Sequence, residues 1–302
     1  MATLWLIIKG MFMGISNIIP GVSGGTMAVS LGIYDDLIFS VSNFFSDWKK
    51  SLKFLLPLGI GLGGGVVFFA YAIELLLTQY VLPTTLAFIG LILGGLPILY
   101  KDFQKSLKKK SISTSHVVVF ILFLILVAGL SFIQEPGAAT SAIDVSFSNS
   151  VILFFVGIIT AATLVVPGIS GSLILMILGY YYSILNTLTT FFDHVQAFNW
   201  EGILNGFSLL FPFGIGVLLG VFLISKVIEY LFIHFPSLTY SGVLGLVVAS
   251  PVALIYNTGV LANLSQISSV LYVLVGIALF AACFYVTYQL SMKDEVEFRE
   301  NT

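Results

Sequence analysis

Six apolar stretches, each about the length of a bilayer crossing, recur along the 302 residues and fix the class of structure this chain can form. They run approximately over Phe54–Leu77, Val81–Leu99, Val117–Ile133, Ser208–Ile233, Tyr240–Tyr256 and Ser269–Leu290. Each is close to the roughly 20 residues that a helix needs to cross a hydrocarbon core of about 30 Å. In such a core every backbone N–H and C=O must be satisfied within the protein, and helix is the form that does so segment by segment. With 58% hydrophobic and 9% charged residues and a mean hydropathy of +1.09, the composition excludes an ordinary soluble domain. The predicted fold is all-α and polytopic in the membrane.

Two further stretches, Leu4–Phe45 and Val151–Leu188, are too long for one span and are interrupted in the middle. The interruptions are Pro20-Gly21-Val22-Ser23-Gly24-Gly25 and Pro167-Gly168-Ile169-Ser170-Gly171-Ser172. Proline removes a backbone donor and glycine frees the dihedrals, so each stretch reads as a re-entrant hairpin of two half-helices. The segment from Met1 to Ile19 lacks a basic n-region and a small-residue cleavage site, and it reads as mature protein.

Charge placement sets the expected orientation. With the N-terminus inside, 11 of the 12 basic residues fall on or near the cytoplasmic face, Lys226 being the exception. The outer loops then contain no lysine or arginine but carry Glu135, Asp144, Asp193 and Glu201. That asymmetry is the positive-inside pattern, and it puts both termini in the cytoplasm. The lysines of Lys105–Lys110 set topology and touch anionic headgroups of the membrane lipids.

The chain also reads as duplicated. Pro20 pairs with Pro167 and Gly32 with Gly179 at a separation of 147, while Pro57 pairs with Pro212, Glu74 with Glu229 and Gly90 with Gly245 at a separation of 155. One insertion around Asp193–Trp200 accounts for the shift. The expected repeats are 1–145, with its hairpin at 4–45, and 146–302, with its hairpin at 151–188. Each has a hairpin plus three spans, so the second starts on the opposite side of the membrane and the repeats are inverted. Transporters built this way hold substrate near the midplane, where discontinuous helices meet. The two Pro-Gly elements should therefore face each other and not lipid.

The residue types at that meeting point favour an anion. A helix starting after Ser23-Gly24-Gly25 or Ser170-Gly171-Ser172 offers unpaired N–H groups and the positive end of its dipole, and glycine lets a ligand come close. Gly21, Ser23, Gly24, Gly25 and Thr26 in the first element, and Gly168, Ser170, Gly171 and Ser172 in the second, are the candidate phosphate-binding residues. Ser16 and Thr163 occupy equivalent places on the entering half-helices as supporting hydroxyls. The competing reading is a tight helix break whose serines bond back to their own helix.

Asn17-Ile18-Ile19-Pro20-Gly21-Val22-Ser23-Gly24-Gly25-Thr26, Val165-Val166-Pro167-Gly168-Ile169-Ser170-Gly171-Ser172 and the Gly32–Tyr34 stretch resemble a known family. It is that of the bacterial polyprenyl-phosphate transporters of the PopT type, and the likeness extends over nearly the whole chain. The resemblance implies return of undecaprenyl phosphate, the spent lipid carrier of cell-wall synthesis, from the outer to the inner leaflet of the plasma membrane. A monophosphate headgroup needs a polar pocket, whereas its polyprenyl tail can stay in lipid through a lateral opening.

Acids inside spans are functional candidates by default. Glu74 and Glu229 are counterparts near span ends, open to a role in coupling to a proton or sodium gradient and equally to plain interfacial exposure. Lys226 lies three residues before Glu229 on one helical face and suggests a local ion pair, and Asp35 and Asp36 read as surface residues. His116, His194 and His234 lack metal-ligand spacing, so neither a metal nor a cofactor is expected. Cys283 reads as a lipid-facing or packed thiol. Trp5, Trp48, Trp200 and Tyr180–Tyr182 read as interfacial anchors, and nothing points to a nucleic-acid partner. The rival class is a membrane lipid diphosphatase, which carries an arginine after the serine of its Pro-Gly-x-Ser element. Gly24 and Gly171 stand there, and Arg299 is the only arginine in the chain, so phosphoryl transfer lacks its electrostatic parts and no catalytic residue is expected. An anion channel or small-anion carrier would use the same helix ends.

Overall fold

The computed structural model describes residues 2–20, 24, 27–28, 31–33, 36–37, 39–40, 46–108, 111–133, 143–161, 170–261 and 270–300. Among them are eleven helices and no strand. In chain order the helices are α1 (Ala2–Ile18), α2 (Trp48–Gln79), α3 (Val81–Gly94), α4 (Leu96–Ser106), α5 (Thr114–Ile133) and α6 (Phe147–Ala161). They continue with α7 (Gly171–Ile177), α8 (Tyr181–Gln196), α9 (Trp200–His234), α10 (Pro236–Asn257) and α11 (Val270–Glu300).

All six predicted spans are helical. By length and composition, α2, the α3–α4 unit, α9 up to Gly220, α10, and α11 up to Gln289 can each cross a membrane, and α5 carries the remaining stretch as a helix of 20 residues. The protein is a multi-pass, all-α membrane protein. Side-chain caps open the two longest helices: Asp47 accepts from the Lys50 N–H before α2 and Asn199 from the Gly202 N–H before α9, each satisfying one of the orphan donors of a first turn. Pro57 and Pro212 lie inside those helices, which continue through them.

The second broken stretch differs from a simple pair of half-helices. After α6 the described chain resumes at Ser170 as α7, only 7 residues long, and then bends by 113° into α8. Helix α8 runs on to Gln196, well past Leu188. The bend is a glycine-terminated helix end: Leu178 N–H bonds Ile174 O, Tyr180 N–H bonds Leu175 O, and Gly179 takes φ 76°. That left-handed position costs glycine nothing and any other residue much more.

The same pattern occurs 147 positions earlier. Leu31 N–H bonds Met27 O, Ile33 N–H bonds Ala28 O, and Gly32 takes φ 63°. Lys9 of α1, half-buried, donates to the Leu31 carbonyl at 2.7 Å, so it lies within the fold and not merely at its rim. A second matched pair recurs at a separation of 155. Thr84 Oγ1 donates to the carbonyls of Leu76 and Tyr80, and Thr239 Oγ1 to those of Leu231 and Phe235.

Helix packing follows the same twofold scheme. α1 lies along α2 as α6 lies along α9, and α3 lies along α11 as α10 lies along α5. The last helix of each half thus packs against the other half. Backbones touch at these seams because side chains are missing there. A methyl group at Gly61 would overlap the carbonyl of Ile7, and one at Gly216 the carbonyl of Phe154. Small residues at helix crossings are how membrane helices gain contact when lipid already solvates their apolar side chains.

Candidate functional site

The end of α1 and the start of α7 meet in the interior. Ser170 is the N-cap of α7, in extended conformation, but its side chain does not cap the helix. Its hydroxyl lies 2.6 Å from that of Ser172 and points toward the Ile19 carbonyl at 3.5 Å. The first distance is a short, strong O–H···O contact and the second is at the limit of one. Ser170 and Ser172 are 2% and 3% exposed, and Pro20 is fully buried, so these parts of the two Pro-Gly elements face protein and not lipid. The first backbone bond of α7 runs from Ile174 N–H to Ser170 O, which leaves the N–H groups of Gly171, Ser172 and Leu173 without an intrahelical acceptor.

Tyr181 completes the junction. Its hydroxyl donates to the Ile18 carbonyl at 2.9 Å, and its ring stands edge-on to Phe88 of α3. The carbonyls at the end of α1 would repel an anion, and Tyr181 and Ser170 occupy two of them. Asn17, the residue before Ile18, lies against Gly24: any Cβ on Gly24 would overlap the Asn17 carboxamide. Among the described residues, Asn17, Ser172 and Tyr181 are the polar ones bordering a cavity of about 360 Å³, with Leu175, Leu188, Leu210 and Phe213 among its apolar walls.

Other candidates fall elsewhere. Ser16 is buried and donates back to Met13 O of its own helix, which is how a serine inside a helix commonly satisfies itself. Glu74 is half-buried and accepts from Asn186 Nδ2 at 2.8 Å; one turn back, Tyr71 donates to Asp193 at 2.7 Å and to the Thr189 carbonyl. These bonds tie α2 to α8, whose Leu185 and Leu188 line the cavity, so Glu74 is joined to the cavity wall through α8 and does not itself border it. Glu74→Leu should leave Asn186 unpartnered at a cost of about 1–3 kcal/mol, read as a lower melting temperature of the purified protein, with Glu74→Gln close to wild type. Asp36 is exposed. His116 engages Ser113 and Ser237, bridging α5 to α10, and no metal-binding cluster occurs among the described residues. Gly21, Ser23, Gly25, Thr26, Asp35, Thr163 and Gly168 lie outside the described residues, as do the side chains of Lys226 and Glu229.

Two expectations from sequence are corrected. Tyr181 and Tyr182 are not interfacial anchors: they are 3% and 7% exposed. Apolar walls on every side draw the rings inward, and Tyr181 finds an acceptor there. Asn17 and Asn257 were missed. Asn257 Nδ2 donates to Met176 O and so holds the far end of α7. Tyr181 could have been found as the counterpart of Tyr34, at the separation of 147 already established by Gly32 and Gly179.

Comparison with known proteins places this architecture. The family described as undecaprenyl phosphate translocase-like matches residues 13–271, and again 193–295. A polyprenyl-phosphate transporter of Staphylococcus aureus (strain NCTC 8325 / PS 47) is 32% identical over 250 residues, covering 82% of this chain and 84% of the relative. A polyprenyl-phosphate transporter of Vibrio cholerae serotype O1 is 26% identical over 257 residues, covering 80% and 74%. No solved structure matches the chain. The chain belongs to the undecaprenyl phosphate translocase-like family, whose members are transporters and not enzymes.

Proposed function

We propose that this protein carries undecaprenyl phosphate from the outer to the inner leaflet of the bacterial plasma membrane, returning the lipid carrier for reuse, with both its termini in the cytoplasm. The observation that carries the reading is the buried hydroxyl pair Ser170–Ser172, of which Ser172 borders a cavity where two broken stretches of chain meet. Ser172 borders the cavity; when Ser170 donates to it, its own proton is free for a phosphate oxygen. The long contact from Ser170 to Ile19 is then given up at little cost. The free N–H groups at the start of α7 and the Asn17 amide add donors. Because α7 has only two turns, its dipole contributes little and the hydroxyls and N–H groups carry the binding. Gly21, Ser23, Gly24, Gly25 and Thr26 and, beside Ser170, Gly168 and Gly171 supply the remaining backbone and hydroxyl contacts in this proposal.

The units 1–145 and 146–302 are read as inverted repeats. The hydrogen bonds and glycine contacts that recur at separations of 147 and 155 support the duplication, and the count of crossings supports the inversion. Alternating access then exposes the junction to one leaflet at a time.

The test is reconstitution in liposomes with undecaprenyl phosphate followed between leaflets, under imposed proton or sodium gradients. Loss of one hydroxyl facing a charged ligand costs about 1.5–3 kcal/mol, so Ser172→Ala should weaken transport by roughly tenfold to a hundredfold, and Ser170→Ala by less. Unchanged flipping by folded Ser172→Ala protein would remove the site assignment. Conductance without lipid movement would favour an anion channel, and phosphate release from lipid diphosphate an enzyme.

A further inference from the structure

The cavity is small beside the lipid assigned to it, and that mismatch is informative. At roughly 30 Å³ per water-sized group, about 360 Å³ accommodates about a dozen non-hydrogen atoms. A phosphate takes about five of these, leaving room for one to two five-carbon isoprene units. Among the described residues, the polar ones that border the cavity are Asn17, Ser172 and Tyr181, while Leu188 of α8 and Leu210 and Phe213 of α9 give it apolar walls. This is the chemistry of the point where a phosphate joins a hydrocarbon chain.

Resting on the transport reading above, we propose that the site recognises the phosphate together with the first one or two isoprene units, and nothing further along the tail. The rest of the chain stays in lipid throughout. Lipid solvates a hydrocarbon as well as leucine does, so units beyond the cavity gain no free energy from the protein and confer no selectivity. Units inside the cavity gain packing contacts, which depend on the fit of its walls. The carrier is therefore selective for the head and its neighbouring branched carbons and indifferent to tail length.

The experiment measures inhibition of undecaprenyl phosphate flipping by prenyl monophosphates of 10, 15, 20 and 55 carbons, each referred to its measured concentration in the bilayer. Inorganic phosphate, at millimolar concentration, is the tail-less probe. Inhibition should vary by less than about threefold from 15 to 55 carbons, because the added units remain in lipid. Leu210→Trp and Leu188→Phe, which fill the apolar end from two different helices, should weaken every prenyl phosphate by about tenfold or more while leaving inorganic phosphate within about twofold. Melting temperatures identify a variant that has lost its fold, and the second variant then carries the test. Inhibition that strengthens steadily up to 55 carbons would overturn the proposal, as would equal weakening of inorganic phosphate and prenyl phosphates. Failure of every prenyl phosphate to compete would instead remove the transport reading, and this proposal with it.

Discussion

Gly24→Val is expected to reduce lipid transport by on the order of a hundredfold, the scale on which a binding group displaced by about 1 Å loses its effect. A Cβ at this position would overlap the carboxamide of Asn17, which borders the cavity. Alanine would push the amide aside, and valine would drive it out of reach of a phosphate. The cause can be isolated by combining substitutions. If Gly24 matters because it makes room for Asn17, then Gly24→Ala should cost little more once Asn17→Ala has removed the amide, a strong departure from additivity. Additive losses in flipping rate would mean that Gly24 serves some other contact.

The second large effect concerns assembly and not binding. Gly61→Val and Gly216→Val should each destabilise the protein by about 3 kcal/mol or more, the upper range for forced overpacking, equivalent to about 5 °C in melting temperature for a chain of this size. In both cases the new side chain meets a backbone carbonyl, Ile7 or Phe154, and a backbone inside a helix cannot rotate away. The control is a neighbour in the same helix. Gly63 has nothing within 4 Å of where its Cβ would lie, so Gly63→Ala should leave the melting temperature within about 1 °C, as surface substitutions do. A comparable loss at Gly63 would show that helix flexibility, and not close approach to α1, is what Gly61 provides.

Much of this fold was legible because lipid imposes strict rules on length. Apolar runs near the span length gave the six helices, including α2 straight through Pro57 and α9 through Pro212. The separations of 147 and 155 that align the prolines also predict which glycines and threonines repeat their contacts. Facing was a different matter. In water a helix declares its buried side by polarity, whereas here leucines such as Leu218 on the outside and Leu254 on the inside look alike. Tyr181 was misread for that reason, since a tyrosine suits an interface and a buried junction equally well. A helix starting after Ser170 was expected, but its end after seven residues was not, because only about two turns separate Ser170 from Gly179, too few for any periodicity. Ser170 and Ser172 were singled out through the paired Pro-Gly elements; the place of Asn17 beside the cavity was not legible, since its counterpart 147 positions on is Leu164.

The exchange of terminal helices bears on how the molecule can work as a machine. α5 is made with the first half but beds against α10, and α11, made with the second, beds against α3. Two of the four broad helix seams therefore run between the covalent halves. A rocking motion that kept 1–145 and 146–302 as rigid bodies would have to shear both of those seams at every cycle. The division that leaves the broad seams intact runs across the sequence, with α1, α2, α6 and α9 on one side and α3, α5, α10 and α11 on the other. Small α7, whose start reaches the end of α1 through Ser170 and whose other end is held by Asn257 of α10, straddles that division. Among the described helices it is the one whose two ends would be carried by different moving parts.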